Sequence, residues 1–252
     1  MQTNMIKKIL FICLFLFSSL LLSAQLTLGT TGLLNSPSAD MQPDKTVMIG
    51  GNFLNDRVTP DGFPYNTYNY FLNITFLPFL EVAYTCTLFK ATDKFVPSKK
   101  GRFVNQDRSF SVRLRLLRER KYLPAVVVGS NDLYTQSGGG KILSEGSGNQ
   151  YFSRFYIACS KYINICPTEQ IGVHMAYLYN RRTSNHLNGF SGGVSYKPSF
   201  VPELNLIAQY DSKTFCIGAN YLLLKHLFAQ VLLQDGKYFT AGLAYKIYLK
   251  GK

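Results

Sequence analysis

A chain of 252 residues with 19 Phe, 17 Tyr and no Trp is long enough for one domain, and its formal charge is +13. That charge does not point to nucleic acid, because Lys and Arg are scattered along the chain instead of gathered in one stripe or helix. For an exported protein, anionic sugars and lipid headgroups are the expected counter-charges. Export is what the N-terminus predicts: Lys7 and Lys8 precede the apolar run 9–22, and Leu22-Ser23-Ala24 ends in a small residue suited to cleavage. The run is too short for an anchor that spans a bilayer. Cys13 lacks the small residue before it that lipidation needs. Cleavage after residue 24 takes two of the 27 basic residues and none of the 14 acidic ones, leaving a net charge of +11.

Residues 25–44 read as a periplasmic lead-in that either plugs a barrel or simply precedes it, with Asn35-Ser36-Pro37-Ser38 as a turn. From residue 45 onward the pattern is period two. Tyr68, Tyr70, Leu72, Ile74 and Phe76 alternate with Thr67, Asn69, Asn73 and Thr75. The same parity sets Phe110, Val112, Leu114 and Leu116 against Ser109, Ser111, Arg113 and Arg115, and Val173, Met175, Tyr177 and Tyr179 against His174 and Ala176. Strands are predicted at 45–54, 66–76, 80–90, 108–118, 125–134, 150–162, 170–180, 189–197, 203–210, 213–222, 227–234 and 237–249, twelve in all.

Short joints carrying Pro78, Pro124, Pro167 and Pro202 alternate with longer polar ones such as 91–107, 135–150 and 181–189. One smooth and one ragged rim is the expectation for an outer-membrane β-barrel, with short turns in the periplasm and long loops outside. No later stretch approaches the roughly 20 apolar residues of a membrane helix, so a membrane-embedded chain has to close into a barrel. A soluble sandwich alternates too, but with a polar outer face. In the last strand Thr240, Gly242, Tyr245 and Ile247 fit the pattern of a barrel's terminal strand, although Lys250-Gly251-Lys252 replaces the usual terminal aromatic. The expected fold is therefore an all-β, antiparallel transmembrane barrel of about 12 strands (10 to 14) spanning 45–252.

Several segments resemble the YjbH family. They are Gly29-Thr30-Thr31-Gly32-Leu33-Leu34-Asn35-Ser36-Pro37-Ser38-Ala39, the run Pro78-Phe79-Leu80-Glu81, and the long stretch from Arg108-Ser109 through Pro124 and Gly129 to Asp132. Later stretches from Tyr156 to Asp211 continue the likeness in order. The resemblance implies an outer-membrane barrel tied to exopolysaccharide or capsule production and export. Because many members are longer, it also implies that this chain corresponds to one barrel module. It brings no catalytic residues.

The chain shows no enzyme signature and implies no cofactor. Gly138-Gly139-Gly140-Lys141 lacks the spacing of a phosphate loop. The three histidines are too dispersed for a metal site. Ser184 and His186 form the best nucleophile pair for an alternative reading as a barrel enzyme acting on lipid or glycan, and a passive pore is a further alternative. The inward parity instead singles out Arg113, Arg115, Arg154, His174 and Lys246, with Glu81, Glu203, Gln209 and Gln230 as companions. These side chains suit a path for an anionic glycan; a plainer reading is an Arg–Glu network filling a narrow barrel. The partners expected are outer-membrane lipid, anionic polysaccharide and other proteins of an export locus. Of the four cysteines after the signal, Cys159 and Cys166 flank one turn, where a bond between them is conceivable, but their offsets do not place them opposite each other and all four read as small apolar residues in strands.

Overall fold

A computed structural model describes residues 27–60, 63–93, 95–136, 141–142, 150–166, 169–180 and 187–249. The signal segment, the 138–140 glycines, Pro167, and Ser184 with His186 lie outside the described residues. In chain order the strands are β1 (Thr46–Leu54), β2 (Thr67–Leu77), β3 (Leu80–Lys90), β4 (Phe103–Leu117), β5 (Ala125–Thr135), β6 (Lys141–Ile142), β7 (Arg154–Cys166), β8 (Glu169–Tyr179), β9 (Gly189–Lys197), β10 (Leu204–Tyr210), β11 (Phe215–Leu223), β12 (Leu227–Gln234) and β13 (Tyr238–Tyr248). β6 is a two-residue ladder on β5. The other twelve pair with their neighbours in antiparallel register, and the β1–β13 and β4–β5 pairings complete the ring. Closure leaves no unpaired edge, which is the condition for a sheet in hydrocarbon.

The alternation sorts as its chemistry requires. Thr67, Asn69, Asn73 and Thr75 face the interior of the barrel, while Tyr68, Tyr70, Leu72 and Phe76 face out. Tyr and Phe form two belts on the outer surface. Tyr68, Tyr177, Tyr179, Phe190 and Phe215 lie toward the long-loop rim, and Phe76, Phe79, Tyr122, Phe200 and Tyr245 toward the short-turn rim. A lipid-facing apolar band between aromatic girdles is the arrangement of an outer-membrane barrel. The long-loop rim, outermost by this logic, is ragged only as far as residue 188, because the last two connections there are tight. One of them is Asp235-Gly236, with φ of 50° and 67°, the left-handed pair that suits a type I′ hairpin.

Two strands differ from the pattern read in the sequence. β4 begins at Phe103 instead of near 108, because residues 103–107 pair with the end of β3. β7 spans 154–166 instead of 150–162, because Tyr151 and Phe152 are drawn into an aromatic cluster under the loops. Cys159 stands opposite Met175 and Cys166 opposite Glu169, and all four described thiols are free.

Met175 lies outward near the middle of β8, with 62% of its surface exposed. Met175→Arg is expected to destabilise the folded barrel by about 2–4 kcal/mol, the cost of a cation at mid-bilayer on the lipid face, whereas Met175→Leu should be neutral. Chemical unfolding in lipid vesicles checks this, and equal stability of the two variants would place β8 outside the bilayer.

Candidate functional site

A barrel of eight strands is about as wide as its own side chains can fill, and diameter grows with strand number. Twelve strands leave room, and here the N-terminal segment takes it. Residues 27–39, 41 and 42 are all buried, and the chain reaches the surface at Asp44 and Lys45, at the short-turn rim where β1 begins. The N-terminal segment therefore lies within the lumen and does not simply precede the barrel.

The segment has no regular structure of its own, so its backbone polar groups need partners from the wall. Inside it, only Thr27 N donating to Leu34 O (3.2 Å) and Leu33 N donating to Ser36 O (2.9 Å) are found among the described backbone bonds. The inward amides of the strands supply much of the rest. Asn52 and Asn69 donate to Thr27 O, Thr85 Oγ1 to Leu28 O, and Asn73 Nδ2 to Gly29 O at 2.8 Å. Across the lumen, Leu34 N and Asn35 N donate to Gln209 Oε1, and Asn35 Nδ2 donates to Asp211 Oδ2 at 2.7 Å. Apolar side chains divide similarly: Leu33 and Leu34 pack on Ile207, Cys216 and Leu232, and Ala39 and Met41 on Val127, Ala158 and Leu178.

Glu81 is the principal anchor. Its carboxylate is fully buried and accepts from Thr31 N (2.6 Å), Thr31 Oγ1 (2.7 Å) and Asn73 Nδ2 (2.8 Å), while Arg113 Nη1 stands 3.4 Å away. Arg113, equally buried, donates through Nη2 to the carbonyls of Ser38 and Asp40. Arg154 donates to Asn35 O (3.2 Å) and to Asn131 Oδ1 (2.9 Å), and Asn131 in turn donates to Thr30 Oγ1. His174 hydrogen-bonds with Ser160 and Ser195, and Ser160 Oγ accepts from Ala39 N at 2.8 Å. Asp40 accepts from Tyr162 and lies 4.0 Å from His174. Lys246 Nζ donates to Gln42 Oε1 (3.0 Å) and sits over the Phe228 ring.

Four of the five inward residues read from the sequence, Arg113, Arg154, His174 and Lys246, thus converge on this segment or its immediate supports. Arg115 is only half-buried near the short-turn rim. Glu203 is half-buried at that rim, and Arg113 has Glu81 as its carboxylate partner. The polar groups that parity alone missed sit at a bulge. Ser130, Asn131 and Asp132 are all buried, Asp132 having a φ of 49°, and the β4–β5 register shifts beside them.

The motif residues acquire reasons. Gly29 has a φ of +81°, and a Cβ there would lie 2.7 Å from Phe71 Cβ, so neither its conformation nor its space suits another residue. A Cβ on Gly129 would strike the buried Tyr156 ring. Gly32 and Pro37 are buried in the segment. Asp132 accepts from Phe152 N, and Ser111 Oγ accepts from Asp132 N. Ser109 faces inward beside them, whereas Arg108 lies on the outer side of β4. Pro78 and Pro124 stand in the short-turn connections, where no ladder donor is needed.

Fold and lumen together define an outer-membrane β-barrel closed by its own N-terminal segment. The chain belongs to the YjbH family, whose model, described as "Exopolysaccharide biosynthesis protein YbjH", matches residues 24–165. Comparison with curated proteins gives no match. Among solved structures the chain is similar to the KdgM porin (8% identity, TM-score 0.44, covering 81% of this chain and 99% of that one). It is also similar to Omp33 of Acinetobacter baumannii (11%, 0.43, 82% and 99%) and to outer membrane phospholipase A of Escherichia coli (13%, 0.35, 82% and 97%).

Proposed function

We propose that this barrel supports the secretion or surface assembly of an exopolysaccharide or capsule in the outer membrane of a Gram-negative bacterium, without catalysing a reaction. One observation carries the reading. The family match, residues 24–165, takes in both the segment that fills the lumen and its main receptors, Glu81, Arg113, Asn131 and Arg154. The stretch that matches the family therefore includes the residues that fill this barrel along with part of its wall. A filled lumen argues for a component that organises or regulates export over a passive pore. Its partners are outer-membrane lipid, an anionic polysaccharide and the other proteins of an export locus.

The test is surface polysaccharide measured with and without the protein. Loss or mislocalised polymer is expected on deletion, restored by the wild-type chain. Unchanged polymer, or lipid or glycan cleavage by the purified barrel, would replace this reading with the passive or the enzymatic one.

A further inference from the structure

At the outer mouth the segment forms the floor of a narrow cleft, through Thr27, Leu28 and Asn35. Its walls include Arg57, Arg154, Asp211, Lys213 and Gln234. Two of these side chains are buried with a hydrogen-bonding position unspent. Arg154, 1% exposed, uses Nε and Nη2 on Asn131 and Asn35, and its Nη1 has no partner among the described residues. Gln234, 3% exposed, donates to Thr214 Oγ1 at 2.7 Å and leaves Oε1 without a donor. Asp211 does not neutralise Arg154 by direct pairing: its oxygens accept from Asn35 Nδ2, Thr214 N, Thr214 Oγ1 and Lys213 N. Arg57, stacked 5.1 Å over Tyr238, and Lys213 are exposed at the entrance.

We propose that this cleft is a subsite for the charged substituent of an acidic sugar, with Arg154 taking the carboxylate, Gln234 accepting from a neighbouring hydroxyl, and Arg57 and Lys213 drawing the ligand in. A buried guanidinium donor left unpaired is costly, and a carboxylate is the acceptor that suits it best. A bare sulfate, which has no proton to donate, would answer Arg154 but leave Gln234 Oε1 unpaired; a sugar acid answers both. The space, about 40 Å³, compares with roughly 10–15 Å³ for one water on a similar measure. It admits a carboxylate and a hydroxyl, while the rest of the sugar stays at the mouth. The inference rests on the reading of this barrel as a polysaccharide component and names the chemistry it would recognise.

Calorimetry on the purified, detergent-solubilised protein provides the test, with a short oligoglucuronate as probe and a neutral oligoglucose as control. Binding of the acidic probe alone is expected, weakened at least about fivefold by Arg57→Gln with Lys213→Gln and less salt-sensitive in that variant, since exposed charges are screened over roughly 8–10 Å. Those two residues are on the surface, so the result does not depend on a core substitution being tolerated. Gln234→Leu should weaken the sugar acid more than inorganic sulfate. Equal affinity for both oligosaccharides, no binding, or an unchanged surface variant overturns the subsite. Competition by exported polysaccharide or by lipopolysaccharide tells which source of acidic sugar occupies it. Absence of binding with polysaccharide still lost on deletion refutes the subsite alone; retained binding with normal polysaccharide refutes the export role alone.

Discussion

Deletion of residues 27–42 is expected to turn an electrically silent barrel into a stable ion channel. The ladder does not depend on the segment, because each of the twelve long strands keeps both neighbours when it is gone. What is lost is the filling. Glu81, Arg113, Arg154 and Lys246 would face water in place of the segment, and charges that needed partners in a packed lumen would be solvated. Planar-bilayer recordings of the two proteins, each verified as folded by its faster migration on an unheated gel, decide the matter. A folded deletion variant that stays silent, or a wild-type barrel that conducts as strongly, would show that these residues do not block the lumen.

The largest effect from a single side chain is expected at Glu81. Glu81→Gln keeps the shape but removes the carboxylate that accepts from Thr31 and faces Arg113 at 3.4 Å. Arg113 would then be a buried cation without a paired carboxylate, held by the Ser38 and Asp40 carbonyls with the Asp40 side chain as its remaining negative neighbour. Breaking a buried pair from one side costs about 3–5 kcal/mol, so the midpoint of urea unfolding in lipid should fall sharply. Adding Arg113→Gln should recover most of the loss, since the orphaned charge goes with it. A single variant as stable as the wild type, or a double variant worse than the single, would contradict the pairing.

The wall of this protein was legible because lipid and lumen impose opposite chemistry on alternate residues. Tyr68 to Phe76 and Met175 to Tyr179 announce their faces without any knowledge of their neighbours. The inward cations were legible for the same reason. Their role was not, because the segment they hold is aperiodic and rich in small polar residues, and its partners lie far along the chain: Thr31 and Glu81 are 50 residues apart, Asn35 and Asp211 are 176 apart. Asn131 and Asp132 escaped for a different reason. The bulge at Asp132 breaks the period-two count, and parity reasoning has no means of seeing a bulge.

The segment's two ends also bear on the order in which the barrel is built. It joins β1 through Asp44 and Lys45, β1 forms the seam with β13, and the Gln42–Lys246 hydrogen bond ties the segment to that closing strand across 204 residues of sequence. Contacts so distant in the chain form slowly, because the loop between them must first be ordered. A barrel that sealed its seam with the segment left outside would have to thread it back through a completed ring. Curling the strands around the N-terminus while the sheet is still open avoids that threading, so the segment would be enclosed as the ring closes, in a wall whose ladder does not need it.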